Sequence, residues 1–126
     1  NNVGHGHSQN FTEDLTWLIH RIRMKNENIC ILIDTIIPRP HDFARTNAIV
    51  GFLNSEIKKL AKINPGVGCN PVHRMFLTKP RPVWYHTHLF DANDKFKLHL
   101  SHAGIIRMKK AILNQIAFWR KGLQCT

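Results

Sequence analysis

Nine histidines stand in this chain of 126 residues, and histidine is the side chain that most readily takes or gives a proton near neutral pH. His99 has the most suggestive neighbours. It follows Asp94 by five residues and comes two before Ser101, a good helix-capping residue at the start of an apolar helical pattern. An imidazole held by a carboxylate at one ring nitrogen can take a proton from a nucleophile at the other. The plainer alternative is a loop histidine hydrogen-bonded to backbone. His5 with His7, and His86 with His88, could each offer two imidazoles to a zinc ion, with His99 or His102 as a third ligand. Chance pairs are expected among nine histidines, and neither Cys-x-x-Cys nor His-Glu-x-x-His accompanies them. We therefore assign these histidines to solvated loops, and expect no metal and no cofactor.

A nucleophile is harder to find. The only serines are Ser8, Ser55 and Ser101; Ser55 falls inside a helical pattern and Ser101 reads as a cap. None sits in the strained strand-to-helix turn that exposes a nucleophilic hydroxyl.

The elements that would position these groups follow from periodicity. Asn10 followed by Glu13 has the form of a capping box, and Leu15, Leu18, Ile19 and Ile22 recur at helical spacing, predicting a helix from Phe11 to Lys25. The run from Ile29 to Ile36 is short and β-branched, which predicts a central parallel strand covered on both faces. Pro38 and Pro40 stop it. Arg39 would fix the strand end, and Asp42 and Phe43 would anchor the loop that follows. Ile49, Leu53, Ile57 and Leu60 stripe a second helix over residues 46–63, closed by Asn64, Pro65 and Gly66. From Gly66 to Phe90 proline, glycine and histidine break every period, with a short strand at Val67 to Cys69 the one element expected. Ser101 caps the last helix, whose expected stripe is Ile105, Met108, Ile112, Ile116 and Trp119. Helices alternating with strands predict an α/β domain with helices on both faces of a parallel sheet.

Composition sets outer limits. A hydrophobic share of 43% with 21% charged residues is that of a folding domain rather than a disordered tail, and the length suits one domain over residues 1–126. No apolar run is long enough to span a membrane, since Asp34 interrupts the longest. The first residues carry neither an initiator methionine nor the apolar stretch of a signal peptide, so the chain reads as one missing its beginning. Cys30, Cys69 and Cys125 cannot all pair within one chain, and Cys30 reads as a reduced, buried thiol. That predicts an intracellular setting.

Eighteen Lys and Arg against eight Asp and Glu leave a formal net charge of +10, which suits an acidic partner. Lys58, Lys59 and Lys62 share one helix, and Arg107, Lys109, Lys110, Arg120 and Lys121 another. Weak, nonspecific attraction to nucleic acid is the expectation, because no arginine-rich or aromatic-platform motif is present and Trp17, Trp84 and Trp119 suit core or rim as well as stacking.

Four segments together resemble the SGNH hydrolases, or GDSL-like esterases, in the version carried by many retroelement-associated and orphan animal proteins. Val3-Gly4-His5-Gly6-His7 stands where that family has Val-Gly-Thr-Asn-Asp or Cys-Gly-His-Asn-Asp. Ile36-Ile37-Pro38-Arg39-Pro40-His41-Asp42-Phe43 looks like its strand-ending Leu-Pro-Arg-Pro-x-Asp-Phe, and Leu53-Asn54 like the Leu-Asn of the following helix. Leu89-Phe90 through Asp94, then His99-Leu100-Ser101-x-x-Gly104, resembles Leu-Phe-x-x-Asp-Gly-x-His-Leu-Asn-x-x-Gly.

The resemblance implies a flavodoxin-like three-layer sandwich acting on ester or acyl bonds, with His99 at the catalytic histidine and Asp94 as its carboxylate. It departs from the family in three places. No Gly-Asp-Ser segment is present, so the chain reads as the C-terminal part of a domain lacking its nucleophile, inactive alone. Gly6 occupies the oxyanion-hole position of an asparagine, a loss worth about 2.7–4 kcal/mol of transition-state stabilisation. His99 lies five residues after Asp94 rather than three, and this predicts that Asp94 is the nearer carboxylate but beyond direct hydrogen-bond range. Asp91 would reach His99 only if the chain doubled over, and His99 is expected beside His5 and Gly6 at the carboxyl end of the sheet. The alternative reading is a noncatalytic basic module that binds nucleic acid or acidic surfaces.

Overall fold

The computed structural model describes residues 10–78, 83–97 and 99–122, with the side chains of residues 121 and 122 excepted. Helix α1 spans Phe11–Lys25, strand β1 Ile31–Asp34, helix α2 Phe43–Ile63 and strand β2 Val67–Asn70; two 3₁₀ turns, Val72–Phe76 and Thr87–Leu89, precede helix α3, His102–Gly122. The strands pair in parallel, Ile31 opposite Val67 through Asp34 opposite Asn70. A parallel pair needs a crossover, and α2 supplies it.

The expected α1 is observed, but not its capping box. Asn10 is the N-cap without any side-chain hydrogen bond, and only its carbonyl oxygen accepts from Asp14 N, at 2.9 Å. Ile19 is the buried residue of this helix, while Leu18 remains 48% exposed. Arg23 ties the end of α1 to the turn before β2, its Nη2 donating to Pro65 O at 2.6 Å.

Strand β1 departs from expectation in its burial. Among the described residues the sheet has two strands, and Ile31, Leu32 and Ile33 are half-buried rather than covered on both faces. Ile31 and Ile33 pack on Ile19, Leu60 and Val67. The opposite face, where Leu32 pairs with Gly68, receives the indole of Trp119, which occupies the space a Cβ on Gly68 would take. Helices thus meet both faces, but the second face is reached through one bulky side chain. Ile29 and Cys30 lie before the strand and are exposed. Cys30 is disulfide-bonded and Cys69 is a free thiol, which removes the reduced-thiol reading of Cys30 and the compartment argument built on it.

Phe43, expected in a loop, opens α2 and is 5% exposed. The chain turns at Asp42, whose φ of 54° lies in the left-handed region, and its carboxylate pairs with Arg45 Nε. Thr46 Oγ1 locks this entry by donating toward Arg39 O and Asp42 O at 3.2 and 3.0 Å. The buried face of α2 comprises Phe43, Thr46, Val50, Leu53, Asn54, Ile57 and Leu60.

The stretch without a readable period holds the larger core. Phe43, Phe76, Tyr85, Leu89 and Phe90 form one buried cluster, with Ile37, Leu77, Leu100 and Met108 packed against it. Tyr85 touches Phe43 and Phe90 at ring centroid distances of 5.4 and 5.7 Å. Rings from irregular backbone can interlock in this way because their geometry, not a repeat, sets the contact. Helix α3 lies on this cluster through Met108 and through Gly104, whose missing side chain lets the helix approach until it abuts Leu89 O; Ala111, further along the helix, is also buried. The expected stripe faces inward in part: Met108 packs on the cluster, Trp119 packs on Gly68 and Ile112 is half-buried, while Ile105 and Ile116 are 55% and 37% exposed. Among the described residues no helix is long and apolar enough to cross a membrane.

Candidate active site

His99 sits at the end of a short hairpin whose base is tied on both sides. Phe90 and Leu100 form an isolated antiparallel bridge, Asp91 N donates to His99 O at 3.0 Å, and Ser101 N donates to Leu89 O at 3.0 Å. The chain does double over, as contact between Asp91 and His99 requires, yet through backbone. Inside the hairpin two turns follow in succession, with Asp94 N to Asp91 O at 3.3 Å and Lys97 N to Asp94 O at 3.0 Å. The carboxylates are used as turn acceptors: Asp91 Oδ1 takes Asn93 N at 2.9 Å, and Asp94 Oδ1 takes Phe96 N at 3.1 Å. Lys97 closes the second turn at φ 47°.

This path absorbs the two extra residues between Asp94 and His99. Asp94 Oδ2 accepts from His99 N at 3.0 Å and lies 2.8 Å from His99 Nδ1, so the expected gap between carboxylate and imidazole does not exist. The physical reason is the left-handed Lys97, which folds the longer connection back on itself. An ionised carboxylate can only accept, so Nδ1 carries the proton and the lone pair of the neutral ring is on Nε2. The His99 side chain is 83% exposed against 16% for Asp94. The imidazole is thus held by the carboxylate on one side and open to solvent on the other.

Other expected groups fall differently. Gly6 and His5 lie outside the described residues, as does Ser8. Ser101 is the cap of α3, its Oγ accepting from Gly104 N at 3.1 Å and donating to His88 O at 2.6 Å. Ser55 Oγ donates to Phe52 O at 2.6 Å on α2. An open cavity of about 570 Å³ lies beside the hairpin, lined by Thr87, His88, Asp91, Lys97, Ser101 and His102 among others. His86 and His88 stand edge to face, 5.8 Å apart. The loop after β1 reaches the hairpin where His41 meets the Phe96 ring at 5.1 Å, and Lys95 Nζ lies 5.6 Å over the same ring.

A second polar cluster, missed in the sequence, lies at the carboxyl ends of β1 and β2, where open parallel sheets place their ligands. Thr35, 3% exposed, accepts His73 N at its Oγ1 at 3.0 Å, lies 2.8 Å from His73 Nδ1, and approaches Asn70 O at 3.2 Å. Asn70 Nδ2 donates to Asp34 Oδ1 at 2.8 Å. Burial, with Lys58 and Arg74 nearby, holds the His73 imidazole below its ordinary pKa. Burial also raises the Cys69 thiol. The interruption of the apolar run by Asp34 and Thr35 was the available signal, since polar residues at a strand's carboxyl end are poorly explained by packing. Arg39 Nε and Nη1 are buried without a hydrogen-bond partner among the described residues. No family model, curated protein or solved structure matches this chain.

Proposed function

We propose that the chain is an SGNH-hydrolase-like domain of the ester- and acyl-hydrolase lineage, with His99 as general base and Asp94 as the carboxylate that orients it. The observation that supports this reading is the 2.8 Å approach of Asp94 Oδ2 to His99 Nδ1, which leaves Nε2 for a nucleophile's proton. A flavodoxin-like sandwich over residues 1–126 is the architecture this reading requires. Gly-Asp-Ser has no counterpart in these residues, so ester turnover by this chain is not expected. Acylation and proton transfer would need a hydroxyl supplied against Nε2.

Two measurements test the assignment. Fluorophosphonate should label no serine; stoichiometric labelling of Ser8 or Ser101, lost on substitution by alanine, would overturn the missing-nucleophile claim. Diethyl pyrocarbonate should modify His99 faster than His102, and Asp94→Asn should remove the difference. Equal rates at both histidines in the unsubstituted protein would mean that the carboxylate does not prepare His99 as a base.

A further inference from the structure

Helix α3 spends only one side on the core. Gly104 and Ala111 are buried, while Ile105, Ile106, Leu113 and Ile116 stand 55%, 42%, 54% and 37% exposed. Isolated exposed aliphatics are ordinary, but four on one helix beside a groove are a patch. The groove measures about 320 Å³ and is lined by Leu100, Ile105, Met108, Lys109, Ile112 and Leu113. Arg107, Lys109, Lys110 and Arg120 are exposed along the same helix, and no Asp or Glu occurs between His102 and Gly122.

A projection at 3.6 residues per turn places Lys109 and Arg120 between Ile105 and Ile116 on one side and Leu113 and Ile106 on the other. Cations are thus interleaved with the apolar residues rather than confined to a flank. That interleaving selects the occupant. A bilayer suits a continuous apolar sector with cations at its borders, which this face lacks. A second copy of α3 would bring cations against cations with no carboxylate to separate them. We infer that this face docks an acidic amphipathic helix, whose apolar residues at i, i+3, i+4 and i+7 fill the groove while its carboxylates meet Lys109 and Arg120.

The test is calorimetric titration of the full chain with a Leu/Glu helical peptide of about 18 residues carrying that apolar spacing, alongside a peptide of the same composition in scrambled order. The patterned peptide should bind about tenfold more tightly than the scrambled one. Lys109→Glu and Leu113→Ser should each weaken it by about tenfold, with thermal unfolding unchanged because both side chains face solvent. Equal binding of the two peptides would reduce the effect to net charge and overturn the proposal, as would no binding of either. Sedimentation showing a dimer that Leu113→Ser dissociates would assign the face to a second copy instead. Flotation with phosphatidylserine vesicles, without peptide binding, would assign it to lipid.

Discussion

Asn54 grips the backbone of Ile36 at both ends: its Oδ1 accepts from Ile36 N at 2.7 Å and its Nδ2 donates to Ile36 O at 2.9 Å. The amide thus gives Ile36 the two hydrogen bonds that a neighbouring strand would give, and it does so from a side chain 3% exposed on α2. It holds the chain as it leaves the sheet toward Pro38 and the loop that meets the His99 hairpin. Replacing it by leucine removes the grip and leaves two backbone groups without partners, each worth about 1–3 kcal/mol when fully buried. Asn54→Leu should lower stability by about 2–3 kcal/mol, read as the shift of a urea midpoint at unchanged slope. A shift within a few tenths of a kcal/mol would mean that water satisfies Ile36 equally well.

The Asp94 and His99 pair makes a prediction about protons. With Asp94 Oδ2 facing Nδ1, the neutral imidazole should carry its proton on Nδ1, a tautomer that long-range ¹H–¹⁵N spectra distinguish directly. Asp94→Asn, whose amide can accept or donate, should give a mixture. A proton on Nε2 in the unsubstituted protein would remove the base assignment, because no lone pair would then face a nucleophile.

His73 makes a prediction about pH. Its pKa lies below the ordinary value of 6.5, chiefly through burial, so the unfolded chain takes up the proton first as pH falls. The stability it contributes is present above the ordinary imidazole range and is lost as pH falls through the folded value. Denaturant midpoints should drop more steeply across that window in the native sequence than in His73→Gln. Parallel profiles would mean that His73 is neutralised no more in the fold than in the unfolded chain.

Two glycines should respond oppositely to the same substitution. Gly51 lies on α2 with nothing within 4 Å of an added Cβ, so Gly51→Ala should raise stability by about 0.5–1 kcal/mol through backbone entropy and helix propensity. Gly104 lies on α3 against Leu89 O and near Leu100 Cβ. Backbone there cannot yield without moving the helix, so Gly104→Ala should cost about 1–3 kcal/mol. Thermal melts of both variants check the pair, and a neutral Gly104→Ala would show that α3 is not seated on Leu89 as described.

Local pattern determined the elements whose burial repeats along the chain. Phe11–Lys25 has the bounds its periodicity predicts, Ile31 and Ile33 lie in a parallel strand, and Ser101 caps α3, because helical stripes, β-branched runs and capping side chains act over a few neighbouring residues. Asp94 and His99 were legible as residue types. What the sequence spacing misjudged was their contact: the left-handed turn at Lys97 brings them together, and nothing in a count of intervening residues fixes a backbone φ. Phe43 and the aromatic cluster of Phe76, Tyr85 and Phe90 were also decided only by tertiary structure, since their contacts join segments far apart in the chain and follow no period. The same holds for α3, where Gly104 and Ala111 are buried and Met108 and Trp119 of the expected stripe pack inward, while Ile105 and Ile116 are left exposed. Close approach favours the smallest side chains over the most hydrophobic when a backbone lies opposite, and only the packed fold shows where that backbone is.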